Sequence, residues 1–230
     1  MKKIILLICF SIAFAVIGFY SFVTIKRIII IHEYFNQEKW NRLSKQYNQM
    51  KKVKHSTLFF GDSMTENFKY LPDNDSVVNM GISGDFTEGL IKRITNVTHF
   101  QPDKLFIMIG INDIVEKVPM SQIEKNYSQI LDTIKTDCPQ TKVFIQSTLP
   151  TEGLKSLLSS SQSINKKVEK LNAFLKAEAK NRNLVFINMY PDFVDKNNEL
   201  KKEYSKDGVH LTKKGYDVWL WHLMGYWNSW

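Results

Sequence analysis

Four short segments carry side chains that acyl-transfer chemistry uses. They are Gly61-Asp62-Ser63-Met64-Thr65, Gly81-Ile82-Ser83-Gly84-Asp85, Gly110-Ile111-Asn112-Asp113 and Asp207-Gly208-Val209-His210. A serine hydroxyl is a poor nucleophile until a base takes its proton, and the base works best when a third group orients it. Asp207 lies three residues before His210 and can hydrogen-bond the second ring nitrogen of that histidine. The residues predict Ser63 as nucleophile, His210 as base and Asp207 as the orienting carboxylate.

The same segments offer donors for the negative charge that develops during acyl transfer. A tetrahedral intermediate needs hydrogen-bond donors aimed at its oxyanion. Gly84 lets the backbone approach a substrate closely, and the side-chain amide of Asn112 donates hydrogen bonds without carrying charge. We predict an oxyanion hole made of the Ser63 N–H, the Gly84 N–H and the Asn112 amide.

Three aspartates in these segments are interpreted as structural. Asp62 and Asp113 are expected to hold backbone N–H groups of their loops, and Asp85 with Glu88 has the spacing of a helix capping box. The histidines other than His210 have no metal-ligand partner at a useful spacing. We therefore expect neither a metal site nor a cofactor.

The elements that must position these segments are short strands alternating with helices. Apolar, β-branched or aromatic runs predict strands at 57–60, 77–80, 105–109, 143–147 and 185–188, and helices are predicted at about 86–98, 121–136, 161–182 and 213–226. This alternation indicates an α/β fold with a parallel five-stranded sheet covered by helices on both faces. Ligands of such sheets bind beyond the carboxyl ends of the strands, where three of the four segments lie.

The four segments, in this order, resemble the conserved blocks of the SGNH (GDSL-type) hydrolase family. The stretches GDSMT, NMGISGD, GIND and DGVH supply one family letter each, in Ser63, Gly84, Asn112 and His210. The resemblance covers roughly residues 57–221, and Met64 replaces the leucine of the family's name. It implies a flavodoxin-like three-layer α/β/α sandwich and ester hydrolysis by a Ser-His-Asp triad without a metal. It leaves the substrate open, because a fold hosts many functions.

The charge of the chain is concentrated at its N-terminus. The net charge is +8 over 230 residues, and residues 1–55 hold ten Lys and Arg side chains but only two acidic ones. The remaining residues are neutral overall, so the basic character flanks an apolar segment and nucleic-acid binding is not expected. With 10 Gly, 6 Pro and 2 Cys, the chain is neither collagen-like nor disulfide-rich.

Residues 4–25 form an uncharged apolar stretch. As a helix it would be roughly 33 Å long, enough to cross a hydrocarbon core of about 30 Å. An uncleaved signal anchor is favoured over a cleaved signal peptide, which has a shorter apolar region, and over a buried core helix. The predicted organisation is a membrane anchor at 1–27, a basic linker helix at 28–55 and a hydrolase domain at 56–230.

The flanking charges do not fix the orientation of this anchor, since basic residues lie on both sides of the span. Long domains translocate largely regardless of such charges, so an extracytoplasmic domain is expected.

The combined prediction is a membrane-anchored serine esterase that cleaves acyl esters through an acyl-enzyme. Two substrate classes stay open: O-acetylated cell-surface glycans, and lipid esters, the latter suggested by Leu154, Leu157 and Leu158 in the loop 148–163. Two alternatives to hydrolysis also remain. One is an acyltransferase that moves acetyl groups to a polysaccharide, and the other is a catalytically idle surface-interaction domain. The oligomeric state is left open.

Overall fold

The computed structural model describes residues 2–72, 76–153, 155–156 and 159–227. The strands are β1 (Thr57–Gly61), β2 (Val77–Gly81), β3 (Lys104–Met108), β4 (Lys142–Gln146), β5 (Lys155–Ser156), β6 (Ser159–Ser160) and β7 (Val185–Ile187). The helices are α1 (Lys2–Phe35), α2 (Glu38–Gln49), α3 (Ser63–Glu66), α4 (Thr87–Lys92), α5 (Thr95–Phe100), α6 (Ile111–Val115), α7 (Met120–Asp137), α8 (Ser161–Asn181), α9 (Tyr190–Phe193) and α10 (Lys213–Trp227), with a 3-10 turn at Lys202–Tyr204.

Five strands form one parallel sheet in the order β2-β1-β3-β4-β7. This confirms the predicted α/β fold, and the strand order is that of flavodoxin-like proteins, whose ligand crevice opens where the winding reverses beside β1 and β3. Gly61, the last residue of β1, pairs with Gly81 and with Met108, so the carboxyl ends of β1, β2 and β3 are level. The loops that follow these strands must therefore meet.

The strands are apolar because both faces of the sheet are covered. On one face, the rings of Phe59, Phe106 and Phe144 stack on one another in a core that includes Trp219 of α10. Trp219 packs the last helix onto the sheet, and its indole N–H donates to the buried side chain of Gln146. The helices α4, α7 and α8 contact one another in that series, and α8 also packs against β7.

The chain separates into two units, Met1–Asn41 and Arg42–Trp230. The first contains α1, whose segment Ile12–Phe35 is long and apolar enough to span a membrane, and the most apolar part of this segment is not buried. The fold thus comprises an apolar N-terminal helix and the α/β unit, as predicted.

The predicted linker at 28–55 is divided between these units. Residues 28–35 continue α1, and α2 begins only at Glu38. Tyr47 of α2 is buried, and its hydroxyl donates to the Gly81 carbonyl at the end of β2. The Asn96 amide of α5 also donates to the Ser44 carbonyl. These contacts make the second half of α2 part of the α/β unit.

Candidate active site

Ser63 lies on the turn that joins β1 to α3. The Asp62 carboxylate caps α3 by accepting from the Met64 N–H, so the prediction that Asp62 holds a loop N–H is confirmed. A side chain at Gly61 would lie 2.2 Å from the Met108 carbonyl oxygen, and glycine is therefore required at this position. The Tyr216 hydroxyl of α10 donates to the Met64 carbonyl, which holds the turn from the other side.

The predicted nucleophile, base and carboxylate lie in one hydrogen-bonded row. The His210 Nδ1 atom is 2.7 Å from Asp207 Oδ2, and the Nε2 atom is 3.0 Å from Ser63 Oγ. With the proton on Nδ1, Asp207 accepts from the ring and Nε2 accepts from the Ser63 hydroxyl. This is the arrangement in which a histidine can take a serine proton.

The Asp207 carboxylate is held in its ionised form. Burial opposes ionisation, but hydrogen bonds from the His210 ring and from the backbone N–H groups of Val209 and His210 outweigh it, so the pKa of Asp207 lies well below its usual range. A carboxylate with this pKa can stabilise an imidazolium ring beside it.

A compact turn presents Asp207 and His210 to Ser63. The Ser205 hydroxyl accepts from the Gly208 N–H and donates to the His210 carbonyl. Gly208 adopts a φ of 83°, in the left-handed region that favours glycine. Its backbone packs against Glu152, so that a side chain at position 208 would lie 1.8 Å from the Glu152 carbonyl oxygen. The turn is thereby attached to the segment that follows β4.

The three predicted oxyanion donors are brought to the same edge of the sheet. One N–H of the Asn112 amide donates to the Asp85 carbonyl at 2.9 Å, which leaves its second N–H for a ligand. Ile82 donates to the Gly61 carbonyl and so ties the Gly84 loop to the Ser63 turn. In the described part of the chain, the N–H groups of Ser63 and Gly84 have no hydrogen-bond partner.

The capping prediction for Asp85 is wrong. The N-cap residue of α4 is Phe86, whose side chain makes no capping hydrogen bond. Asp85 instead forms a fully buried ion pair with Arg93 at 2.7 Å. The same guanidinium donates to the carbonyls of Met80 and Gly61. Because a buried charge is stable only when paired and fully hydrogen-bonded, one oxygen of Asp85 pairs with Arg93 and the other accepts from the Phe86 N–H, and neither caps α4.

Two further buried carboxyls lie behind Ser63. Burial raises the pKa of Asp62 to about 7, and the neighbouring carboxylates Asp85 and Asp113 add to the effect. Burial also raises the pKa of Asp113 to about 6, although two hydrogen bonds from Thr87 oppose it. Asp113 holds the Thr87 N–H at the start of α4, as predicted for a structural aspartate.

A small apolar cavity opens beside Ser63. Its volume is about 10 Å³, the room that one water molecule needs. Its walls include Asp62 and Met64, which flank Ser63, and Val209, which precedes His210. The other lining residues are Met108, Ile109, Ile111, Thr148, Leu149, Pro150 and Thr151. Leu154, Leu157 and Leu158 lie outside the described residues.

Several residues that shape the site were not found by sequence reasoning. Arg93, Glu66 and Tyr216 each contact a loop of the site from another element. The one local signal is the position of Glu66, one helical turn after Ser63. Arg93 and Tyr216 contact the site from elements that are distant from it in the sequence, and no local pattern of residues indicates such contacts.

Fold and geometry define an α/β protein with the side-chain arrangement of a serine hydrolase at the carboxyl edge of its sheet. The family model of the GDSL-like lipases and acylhydrolases matches residues 59–218. The chain therefore belongs to the GDSL-like lipase/acylhydrolase family. A comparison with curated proteins gives no match.

Solved structures support the same assignment. A Streptococcus pneumonia protein described as a platelet activating factor is 26% identical, with a TM-score of 0.73 over 86% of this chain and 97% of that one. A GDSL-like lipase from Bacteroides thetaiotaomicron is 26% identical, with a TM-score of 0.72 over 81% and 96% of the two chains. An acetylxylan esterase from Geobacillus stearothermophilus, 19% identical, has a TM-score of 0.60 over 76% and 94%, which shows a shared fold.

Proposed function

We propose that the protein is a serine esterase that removes short acyl groups, acetyl above all, through an acyl-enzyme on Ser63. The observation that carries the proposal is the row of hydrogen bonds from Asp207 through His210 to Ser63. Acyl-transfer enzymes on unrelated folds use this constellation, and the family of the chain includes acylhydrolases.

The reaction would proceed in two halves. Ser63 Oγ attacks the ester carbonyl while its proton moves to His210 Nε2, and Asp207 stabilises the imidazolium that forms. The tetrahedral intermediate collapses as the bond to the alcohol oxygen breaks, and His210 protonates the departing alcohol. A water molecule then attacks the acyl-Ser63 ester, giving its proton to His210, and the acid leaves as Ser63 recovers its proton.

The proposed oxyanion hole would hold the negative oxygen in both halves. The unpartnered N–H groups of Ser63 and Gly84 and the second N–H of Asn112 are its donors. Such donors stabilise the intermediate more than the ground-state ester, which is the requirement for faster chemistry.

The preference for short acyl groups is argued from the cavity beside Ser63. The enclosed space beside Ser63 has room for about one water-sized group, about 10 Å³, which suits an acetyl group better than a long acyl chain. A longer chain would have to lie over exposed surface or displace the packed walls, and each displaced contact costs binding energy. One structural neighbour is an acetylxylan esterase, which agrees with an acetylated glycan as substrate.

The proposal includes an anchor. The helix α1 would fix the esterase to a membrane, with residues 1–27 as the anchor and the hydrolase domain, which includes the second half of α2, outside the cytoplasm. The most apolar part of α1 is unburied, as expected for a helix that meets lipid. Intact mass of membrane-extracted protein tests retention of the segment, and protease treatment of whole cells tests the orientation. A mass lacking residues 1–25, or a domain protected until the cells are lysed, would contradict these two statements respectively.

The enzymatic test is hydrolysis of p-nitrophenyl acetate, butanoate and hexanoate by the full chain in detergent micelles. Ser63→Ala sets the background, and Ser128→Ala, whose hydroxyl contacts Glu178 between two helices, is the matched control. We expect hydrolysis that depends on Ser63 and a kcat/KM that falls about tenfold or more from acetate to hexanoate, a difference of roughly 1.4 kcal/mol or more. Absence of Ser63-dependent hydrolysis contradicts the esterase, and an equal or higher rate with hexanoate contradicts the short-chain preference.

A further inference from the structure

The loop at residues 81–85, which carries Gly84, is held at almost every peptide. The Gly81 carbonyl accepts from Tyr47, and the Asp85 N–H donates to the Ile82 carbonyl. The Asp85 carbonyl accepts from Asn112. Because the N–H of Gly84 is left without a partner in the described residues, these contacts serve to point one free donor at the site.

The contact nearest to that donor comes from α3. One carboxylate oxygen of Glu66 accepts from both the backbone N–H and the hydroxyl of Ser83. Glu66 is one turn after Ser63 on the same helix. The backbone of α3 lies so close to the loop that a side chain at Gly81 would be 2.1 Å from the Glu66 nitrogen. The side chain of Glu66 thus joins the helix that carries the nucleophile to this loop.

Holding Ser83 determines where the Gly84 N–H points. This N–H belongs to the peptide plane between Ser83 and Gly84, and the orientation of that plane follows from the backbone dihedrals of Ser83. Gly84 itself has a φ of 80° and, as a glycine, restricts the plane little. The bond from the Asp85 N–H to the Ile82 carbonyl closes the turn around this peptide, and the two bonds to Glu66 hold Ser83 within it.

We infer that Glu66 is a positioning residue of the reaction, whose carboxylate fixes Ser83 and thereby aims the Gly84 N–H at the oxyanion. The inference rests on the proposed esterase function. The side-chain bonds of Glu66 reach Ser83, so it acts through the loop. A carboxylate suits this role because hydrogen bonds to an ionised acceptor are shorter and stronger than neutral ones, and one oxygen can accept two of them.

The experiment compares an oxoester with its thionoester, in which sulfur replaces the carbonyl oxygen. Sulfur is a weak hydrogen-bond acceptor, so an enzyme with a well-aimed oxyanion hole favours the oxoester. The ratio of kcat/KM for p-nitrophenyl acetate to that for its thiono analogue reports how well the oxyanion donors are oriented. A smaller fraction of folded protein lowers both values equally, so it does not change the ratio. The variants are Glu66→Ala, Glu66→Gln and, as matched control, Glu88→Ala, which removes a carboxylate paired with Lys92 on the exposed side of α4.

For Glu66→Ala we expect kcat on the oxoester to fall about 10- to 100-fold, less than the full loss of an oxyanion donor, with KM changed less than about threefold. The ratio of oxoester to thionoester should fall by a similar factor. Glu66→Gln keeps an acceptor oxygen and should recover most of both values, and Glu88→Ala should match the unsubstituted protein.

An unchanged ratio in Glu66→Ala, beside Ser63-dependent hydrolysis by the unsubstituted protein, overturns the role of Glu66 and leaves the esterase standing. Absence of Ser63-dependent hydrolysis in the unsubstituted protein overturns both. A Glu66→Gln variant as impaired in the ratio as Glu66→Ala contradicts positioning through an acceptor oxygen.

Discussion

The candidate site joins two regions that are built in different ways. Ser63 is 6% exposed and lies among loops that are anchored by the buried pair Asp85–Arg93. The side chains of Asp207 and His210 are 56% and 45% exposed and lie on a surface turn. The nucleophile region is an extension of the core, whereas the base region is a short local structure attached to it.

The two regions differ in how far apart in the sequence the residues that form their supporting contacts lie. Arg93 reaches back to Gly61, and Asn112 reaches back to Asp85. In contrast, the turn that carries His210 is held largely by its own Ser205 and Asp207, with Gly208 against Glu152 as a contact to another segment. Substitutions in the base turn should therefore change activity with little effect on stability, and substitutions beneath Ser63 should change both.

The largest effect should come from the base region. His210→Ala removes the proposed proton acceptor, and we expect kcat for p-nitrophenyl acetate to fall at least about 10⁴-fold, as in other enzymes that lose the histidine of a triad. Because the side chain is half exposed, the thermal midpoint of the detergent-solubilised chain should move by less than about 2 °C. Activity within tenfold of the unsubstituted protein would contradict the role of His210 as the proton acceptor of the base region.

Asn112→Ala tests the nucleophile region. Removal of one oxyanion donor should lower kcat about 10²–10³-fold with a small change in KM. Since the amide also holds the Asp85 carbonyl, the thermal midpoint should fall as well, unlike that of His210→Ala. Asn48→Ala, which removes an exposed bond to Thr95, is the control for loss of an asparagine amide. A loss of less than tenfold in kcat would argue against the proposed donor.

Gly208→Ala tests the attachment of the base turn. The added methyl group meets the Glu152 carbonyl and requires a backbone conformation that alanine rarely adopts, so the turn must shift. A displacement of about 1 Å can lower kcat about 100-fold, and we expect a loss of about 10- to 100-fold. Gly225→Ala on α10, where no atom of another described element lies within 4 Å of the added group, should retain full activity. Equal activity in both variants would show that the attachment is dispensable.

The smallest effect concerns the pH dependence of stability. The pKa of Asp62 is raised to about 7 in the folded protein, above its unfolded value of about 3.9, so folding favours the protonated form. This contribution is fully present below the unfolded pKa and is lost as pH rises through about 7. Between about pH 6 and pH 7.5 the free energy of unfolding should fall by about 1 kcal/mol from this group.

Asp62→Asn should flatten that dependence, because an amide does not titrate and still accepts the Met64 N–H. The measurement is the thermal midpoint across this pH range, with Asp195→Asn as control, since the pKa of that carboxyl is lowered by backbone hydrogen bonds. A slope that persists unchanged in Asp62→Asn would assign the dependence to other groups.

The strands, the long helices α7, α8 and α10 and the base turn were predictable because their signals are local. The helix predicted at 86–98 is wrong, since the structure has two helices there, α4 and α5. The five strands of the sheet are short apolar runs, and each predicted strand lies within one residue of its observed bounds. The Asp207–His210 contact spans three residues, so spacing alone indicates it. It was also predictable that the loops of the candidate site are neighbours, because the carboxyl ends of parallel strands lie at one edge of the sheet.

The supports beneath the nucleophile were not predictable, because each depends on packing. Asp85 has the spacing of a helix cap, yet Arg93 binds it in the core. Tyr47 lies in a segment interpreted as a linker, and only the folded structure brings its hydroxyl to Gly81. The hydrogen bonds between Glu66 and Ser83 likewise require α3 to lie against the end of β2. A pattern of residue types does not indicate that packing.

The most direct test of the account is the reaction of the full chain with a fluorophosphonate, followed by peptide mass mapping. The Ser63 oxygen should bond to phosphorus as fluoride leaves, which gives one adduct on the peptide that contains Ser63. Ser63→Ala should carry no adduct, and His210→Ala should react far more slowly. An adduct of equal yield in Ser63→Ala, or an unlabelled protein that still hydrolyses p-nitrophenyl acetate, would contradict the assignment of Ser63 as the nucleophile.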